Sequence, residues 1–120
     1  MGAGYTQLKV WQLSMDLAER IYRSTQCFPK YEVCGLSSQM QRAAVSIPSN
    51  IAEGHARDST QEYLRFVSIA LGSLAELETQ VMLAGRFQYL SENELQPLLS
   101  QTDEIHRMLR GLQKALKAKT

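Results

Sequence analysis

The sequence predicts an all-α fold, an antiparallel up-down four-helix bundle. Apolar residues recur every three or four positions through most of the chain. Two Ser-x-x-Glu strings, Ser59 to Glu62 and Ser91 to Glu94, mark helix starts. Nothing alternates with period two for long enough to make a strand. The 120 residues suit one domain, 1–120, and short connections make the helices antiparallel neighbours.

The first helix spans about 7–28, with Val10, Leu13, Leu17, Ile21 and Thr25 on one face. Trp11, Met15, Ala18 and Tyr22 widen that face. Phe28-Pro29 closes it, because a residue before proline is pushed out of the α region. The second helix, 33–54, carries Leu36, Met40, Ala43, Ala44, Ile47 and Ile51 inward. Pro48 deletes one of its backbone hydrogen bonds, which predicts a kink. Gly54 is expected to end it, since glycine accepts the left-handed conformation without a Cβ penalty.

The third helix, 59–86, starts at the Ser59 capping box and buries Tyr63, Phe66, Val67, Ala70, Leu74, Leu77, Val81 and Ala84. The fourth, 91–117, starts at Ser91, with Leu90 and Leu95 as a hydrophobic staple and Pro97 in its first turns. Leu98, Ile105, Met108, Leu109, Leu112 and Leu116 form its inner face. The third helix also carries Leu64, Ile69, Leu71, Met82 and Leu83 off its main stripe. In a four-helix monomer no helix is surrounded, so these residues point to a contact with another subunit.

Thirteen Lys and Arg against twelve Asp and Glu leave a net charge of +1, which excludes a strongly basic protein but not a local basic patch. No signal peptide and no span of apolar residues long enough for a bilayer is read. A cytoplasmic protein without membrane contact is expected, with Cys27 and Cys34 as buried or half-buried free thiols. Catalytic chemistry finds little support. Asp103 precedes His106 by three positions, half of a di-metal motif whose second copy is missing, as Glu53 stands only two before His55. Cys34 has no histidine nearby in sequence, and no nucleophile elbow or phosphate-binding glycine loop occurs. Glu76 and Glu78 face different directions on one helix. The reading is a non-enzyme without metal or cofactor.

Two polar surfaces remain. Gln39, Arg42, Ser46, Asn50 and Glu53 form a stripe on the second helix. It reads as a solvated face, as a register-setting pair of Arg42 with Glu76, or, with Arg57 and Arg65, as a phosphate-contacting surface. At the C-terminal end, Arg107, Arg110, Lys114, Lys117 and Lys119 follow the last acids, Asp103 and Glu104. Dipole complementarity accounts for some of these cations. The remainder, repeated around an oligomer axis, suit an RNA or DNA backbone read without sequence preference. A protein–protein scaffold without nucleic-acid contact is the rival.

Several strings occur in order: Val10-Trp11-Gln12, Ile21-Tyr22, Phe28-Pro29, Glu32-x-x-Gly35-Leu36 and Ser38-Gln39-x-x-Arg42-Ala43. Ser46-Ile47-Pro48-Ser49-Asn50-Ile51-Ala52-Glu53-Gly54 and Ala70-x-Gly72-Ser73-x-x-Glu76-Leu77-Glu78 follow. Together they resemble the four-helix-bundle 23S ribosomal RNA intervening-sequence proteins, from about Leu8 to Leu116. The resemblance implies a small bacterial protein that forms a ring-shaped homopentamer. It also implies a likeness to the accessory protein of diversity-generating retroelements, which engages nucleic acid and a reverse transcriptase. No catalytic residues come with it. Arg42, Pro48, Asn50, Glu53, Gly54, Arg57, Glu76 and Glu78 match its signature positions, whereas Met40-Gln41 stands where relatives often place another basic residue.

Overall fold

The computed structural model describes residues 4–120; the N-terminal 1–3, where no targeting segment is read, lie outside the described residues. Among the described residues there are four α-helices: α1 Lys9–Thr25, α2 Leu36–His55, α3 Thr60–Arg86 and α4 Glu92–Lys117. Single 3-10 turns precede α1 (Gly4–Gln7) and α2 (Lys30–Glu32), and no strand occurs among the described residues. The helices pack as a bundle 45 × 24 × 22 Å across, each of α1 to α3 touching the next and α1 also touching α4. At 27 residues, α3 runs about 40 Å and nearly spans the long axis.

The core is the inner stripe of each helix. Leu17, Ile21, Met40, Ile47, Ile51, Leu74, Leu77, Leu98, Ile105 and Leu109 are fully buried, and each such side chain stabilises the fold by about 1.5–3 kcal/mol before cavity effects. By length and composition α3 could cross a membrane, but Val67, Leu74, Leu77 and Val81 on its inner face belong to this core.

The ends of the helices depart from the sequence expectation in informative ways. Helix α1 stops at Thr25, whose hydroxyl bonds back to the Ile21 carbonyl at 2.9 Å. Phe28 lies beyond it, buried, with its ring 5.2 Å from that of Tyr89. Pro48 sits inside α2 without ending it, and its ring is buried. Gly54 does not end α2 either. The helix continues to His55, and Gly54 lies outside the positive-φ region. Its role is close approach: a Cβ there would stand 2.7 Å from Phe66 Cβ and 3.1 Å from Tyr63 Cδ1.

The start of α3 is capped by Ser59 Oγ, which accepts the Glu62 amide at 3.1 Å. At α4 the Ser91 amide donates to the Glu94 carboxylate at 2.9 Å, which holds that carboxyl below its usual range. The α3–α4 turn is a Schellman motif. The Tyr89 amide donates to the Ala84 carbonyl at 2.9 Å and the Gln88 amide to Gly85 at 3.0 Å. Gln88 takes the left-handed position with φ 63°.

Candidate nucleic-acid interface

The C-terminal half of α4 presents its cations outward because its inner face is committed to Ile105, Leu109 and Leu116. Arg107, Arg110, Lys114 and Lys117 are exposed on it, and Lys119 is exposed just past its end. They are not equally free. Arg107 Nε lies 3.3 Å from Asp103, so its charge is partly answered. Arg110 donates to the Gln113 side-chain oxygen at 2.9 Å, a neutral partner that leaves its charge available. Lys114 and Lys117 occupy the last turn, and among the described residues neither they nor Lys119 form an ion pair.

The second basic group is divided. Arg42 and Arg65 are exposed and unpaired among the described residues. Arg57 is held by Glu53 at 3.0 Å and lies 4.9 Å above the Phe66 ring, so it braces the α2–α3 turn. Of the three readings of the stripe, the Arg42–Glu76 pair does not form. Glu76 instead accepts from Gln80 Nε2 at 3.4 Å, while the buried Gln80 Oε1 takes no donor. The polar link between α2 and α3 is shorter: the Ser46 and Ser73 hydroxyls meet at 2.8 Å, and Asn50 donates to Ser46 Oγ at 2.9 Å and to its carbonyl at 2.8 Å. Small hydroxyls fit where two helices run close, and Arg42, one turn before Ser46 on the same stripe, is exposed. Of the signature residues, Asn50 and Gly54 thus serve packing, the exposed Glu53 pairs with Arg57, and Glu78 is half-buried.

The residues expected at a subunit contact separate as well. Ile69, Met82 and Leu83 are 41%, 48% and 38% exposed. Leu64 is half-buried against the core. Leu71, at 8% exposure, belongs to the chain's own core, because its position on α3 falls on the side of Leu74 and Val67. Cys27 and Cys34, expected buried or half-buried, are both exposed in the loop between α1 and α2.

Two features escaped the sequence reading. One is an open groove of about 700 Å³ between α1 and α2, lined by Tyr5, Trp11, Met15, Ala18, Tyr22 and Val45 with Pro48, Ala52, Asp16 and Glu19 at its walls. Its sequence trace was the row Trp11, Met15, Ala18, Tyr22, which reads equally well as the edge of a core. The other is a bond network at the loops. Tyr89 donates to Glu32 Oε2 at 2.8 Å, Tyr31 and Tyr89 hydroxyls lie 3.2 Å apart, and Glu32 Oε1 accepts the Leu36 amide at 3.0 Å. The Leu36 amide first, then Tyr89, hold the Glu32 carboxyl below its ordinary range. The Tyr31 hydroxyl and Glu32 push the Tyr89 phenol well up.

No described His, Cys, Asp and Glu residues gather in threes as a metal ion would require. His55 stands edge-on to Tyr63, ring centroids 5.7 Å apart.

The family model of the 23S rRNA-intervening sequence protein matches residues 6–111. The chain is also similar to a crystal structure of a protein of unknown function from the S23 ribosomal protein family of Bacteroides thetaiotaomicron. The two share 25% identity at a TM-score of 0.79, over 88% of this chain and 98% of the other. No curated protein matches.

Proposed function

Since the chain belongs to the 23S rRNA-intervening sequence protein family, we propose that it is a non-enzymatic, homo-oligomeric protein that holds a nucleic-acid backbone, RNA in preference to DNA. The contact surface is the outer face of α4, with Arg110, Lys114 and Lys117 at its centre, Arg107 and Lys119 beside them and Arg65 at the same end of the bundle; Arg42, on α2, which does not touch α4, forms a separate basic position. The observation that carries this reading is the row of exposed α4 cations in which, among the described residues, neither Lys114 nor Lys117 forms an ion pair. A helix terminus gains about 0.3–1 kcal/mol from each nearby cation, and the last turn alone meets that need. Lys114 and Lys117 of that turn, with Arg110 and Lys119, also face outward without an ion pair among the described residues and so form a basic field.

The helices run antiparallel in this reading. As numbering rises along α2 from Ser46 to Gly54, the α3 partner falls from Ser73 to Phe66. Thr25 meets Gln41, and Gly4 approaches His55. Gly85 stands against Leu95, and Arg20 donates to Gln101. In that arrangement the α2–α3 turn and the end of α4 share one end of the bundle, so Arg65 adds to the α4 field. A closed ring, five copies by family resemblance, multiplies the field despite the net charge of +1 per chain. The protein works in the cytoplasm, without a cofactor.

Fluorescence anisotropy with labelled single-stranded and hairpin RNA over a salt series tests this. Three phosphate contacts per chain predict a log–log slope of about −2 for single strands. Reversing Lys114 and Lys117 to Glu abolishes binding. No binding at low salt refutes the reading and leaves a scaffold that meets only protein.

A further inference from the structure

We infer that the cavity beneath the loop between α1 and α2 binds a small organic monocarboxylate, held by Ser37, Lys30 and the first turn of α2. The inference goes beyond the nucleic-acid reading and uses none of its residues.

The cavity measures about 240 Å³ and is walled by Phe28, Pro29 and Val33 of the loop. Its back is closed by one bond, Gln41 Nε2 donating to Thr25 Oγ1 at 2.9 Å, which ties α2 to the end of α1. No carboxylate lines it. Sites for drug-sized ligands run about 300–1,000 Å³, so a smaller molecule is what this one admits.

Three kinds of donor meet there. Ser37 is 6% exposed, yet its hydroxyl makes no hydrogen bond among the described residues. The sealed side-chain atom without a partner among those residues is Gln80 Oε1. Ser37 Oγ therefore keeps an opening, and the cavity that Ser37 lines is where it opens. A polar group so buried and left without a partner costs free energy, which a ligand atom would recover. Lys30 also lines the cavity, exposed and without an ion pair among the described residues. Ser37 is the second residue of α2, a helix of 20 residues, whose N-terminal end carries free amides and the positive pole. An anion suits the hydroxyl, the ammonium and the helix end together.

The neighbouring Glu32 does not already serve as that anion. Its Oε1 accepts the Leu36 amide at 3.0 Å and its Oε2 accepts the Tyr89 hydroxyl at 2.8 Å, and it does not line the cavity. Gly35 lets it sit there, since a Cβ at that position would stand 2.6 Å from Glu32 Oε1. Glu32 thus takes the Leu36 amide and leaves the Ser37 hydroxyl open. Its charge also limits the ligand's. One lysine beside one carboxylate can hold a single further negative charge but not a phosphate dianion. The apolar walls call for a hydrocarbon body, so a short-chain carboxylate fits where inorganic phosphate does not.

The test is a titration of the full, ¹⁵N-labelled chain with sodium isovalerate at neutral pH and constant ionic strength. Saturable amide shifts should gather at Lys30, Ser37, Ser38 and the Gln41 side chain. Ser37→Ala removes only the hydroxyl and should weaken binding about tenfold. Val33→Glu, at a wall position 65% exposed, sets a second carboxylate at the rim and should abolish binding. Urea midpoints check that both variants stay folded. Isovaleramide has the same body without the charge, and equal binding by it overturns the anion assignment. Inorganic phosphate shifting the same amides at lower concentration than isovalerate overturns the carboxylate assignment. No saturable shift, or full affinity in Ser37→Ala, overturns the site itself.

Discussion

Replacing Gly54 by alanine sets two effects of known sign against each other. Glycine inside a helix costs about 1 kcal/mol relative to alanine, so on propensity alone Gly54→Ala stabilises. The packing term opposes it. The new Cβ would lie 2.7 Å from Phe66 Cβ and 3.1 Å from Tyr63 Cδ1. The first is an atom fixed to the α3 backbone, which cannot swing aside, so α2 and α3 must separate locally. Overpacking of this kind costs about 1–3 kcal/mol, and a contact this short belongs at the upper end. The net expectation is a loss of about 2 kcal/mol. At this chain length that is about 8 °C in Tm, taking about 4 °C per kcal/mol. The control is Gly111→Ala in α4, where a Cβ meets nothing within 4 Å; there propensity acts alone and stability rises by about 1 kcal/mol. Urea denaturation at fixed protein concentration reads both. A Gly54→Ala protein as stable as the Gly111→Ala one would refute the close-approach argument.

Gln88→Gly should stabilise. A non-glycine residue at φ 63° carries about 1–2 kcal/mol of steric cost, and glycine's extra freedom in the unfolded chain returns about 0.5–1 kcal/mol of that, leaving a gain below about 1 kcal/mol by urea titration. Tyr89→Phe keeps the ring against Phe28 but removes a donor from Glu32. The Glu32 carboxyl should then titrate at higher pH by carbonyl NMR, and an unmoved titration would show that the bond is absent in solution. Glu32 and Glu94 are both lowered in the folded state, so their stabilisation is whole above the unfolded carboxyl value of about 4.3. It is lost as pH falls through their folded values. Glu94→Gln should flatten part of this acid limb in urea midpoints taken from neutral pH downward. The Tyr89 phenol is raised, so its contribution is present below about pH 10 and fades as pH climbs toward its folded value.

The helices were legible because a 3.6-residue apolar period extends over each of them, and the observed ends of α3 and α4 fall within a residue of the expected 59–86 and 91–117. The first helix was read too long at both ends and the second at its start. Phe28 continues the apolar pattern of α1 although its burial comes from Tyr89, far along the chain, and Val33 does the same before α2, which starts at Leu36. Gly54 was read by its conformational freedom when its small size is what α3 requires. Leu71 and the Trp11 row show the limit of periodicity from opposite sides. Both widen an apolar stripe, yet Leu71 lies inside the bundle and the Trp11 row lines an open groove, because the placement of the neighbouring helices decides which edge is covered. Among the basic residues, the α4 group was legible as charge, but the local partners that remove Arg57 and partly answer Arg107 were not.

The backbone of the turn between α3 and α4 closes on its own neighbourhood. The Gln88, Tyr89 and Leu90 amides all find carbonyls of Ala84 or Gly85, and the Ser91 amide finds Glu94. No group from α1 or α2 is needed to set the angle at which α4 leaves α3. Contacts separated by few residues form at small loop-closure cost and early in folding. The two longest helices can therefore meet in their final register before α1 and α2 dock. A folding chain then presents one face of α3 to α4 at once, and the other helices join a template already half built.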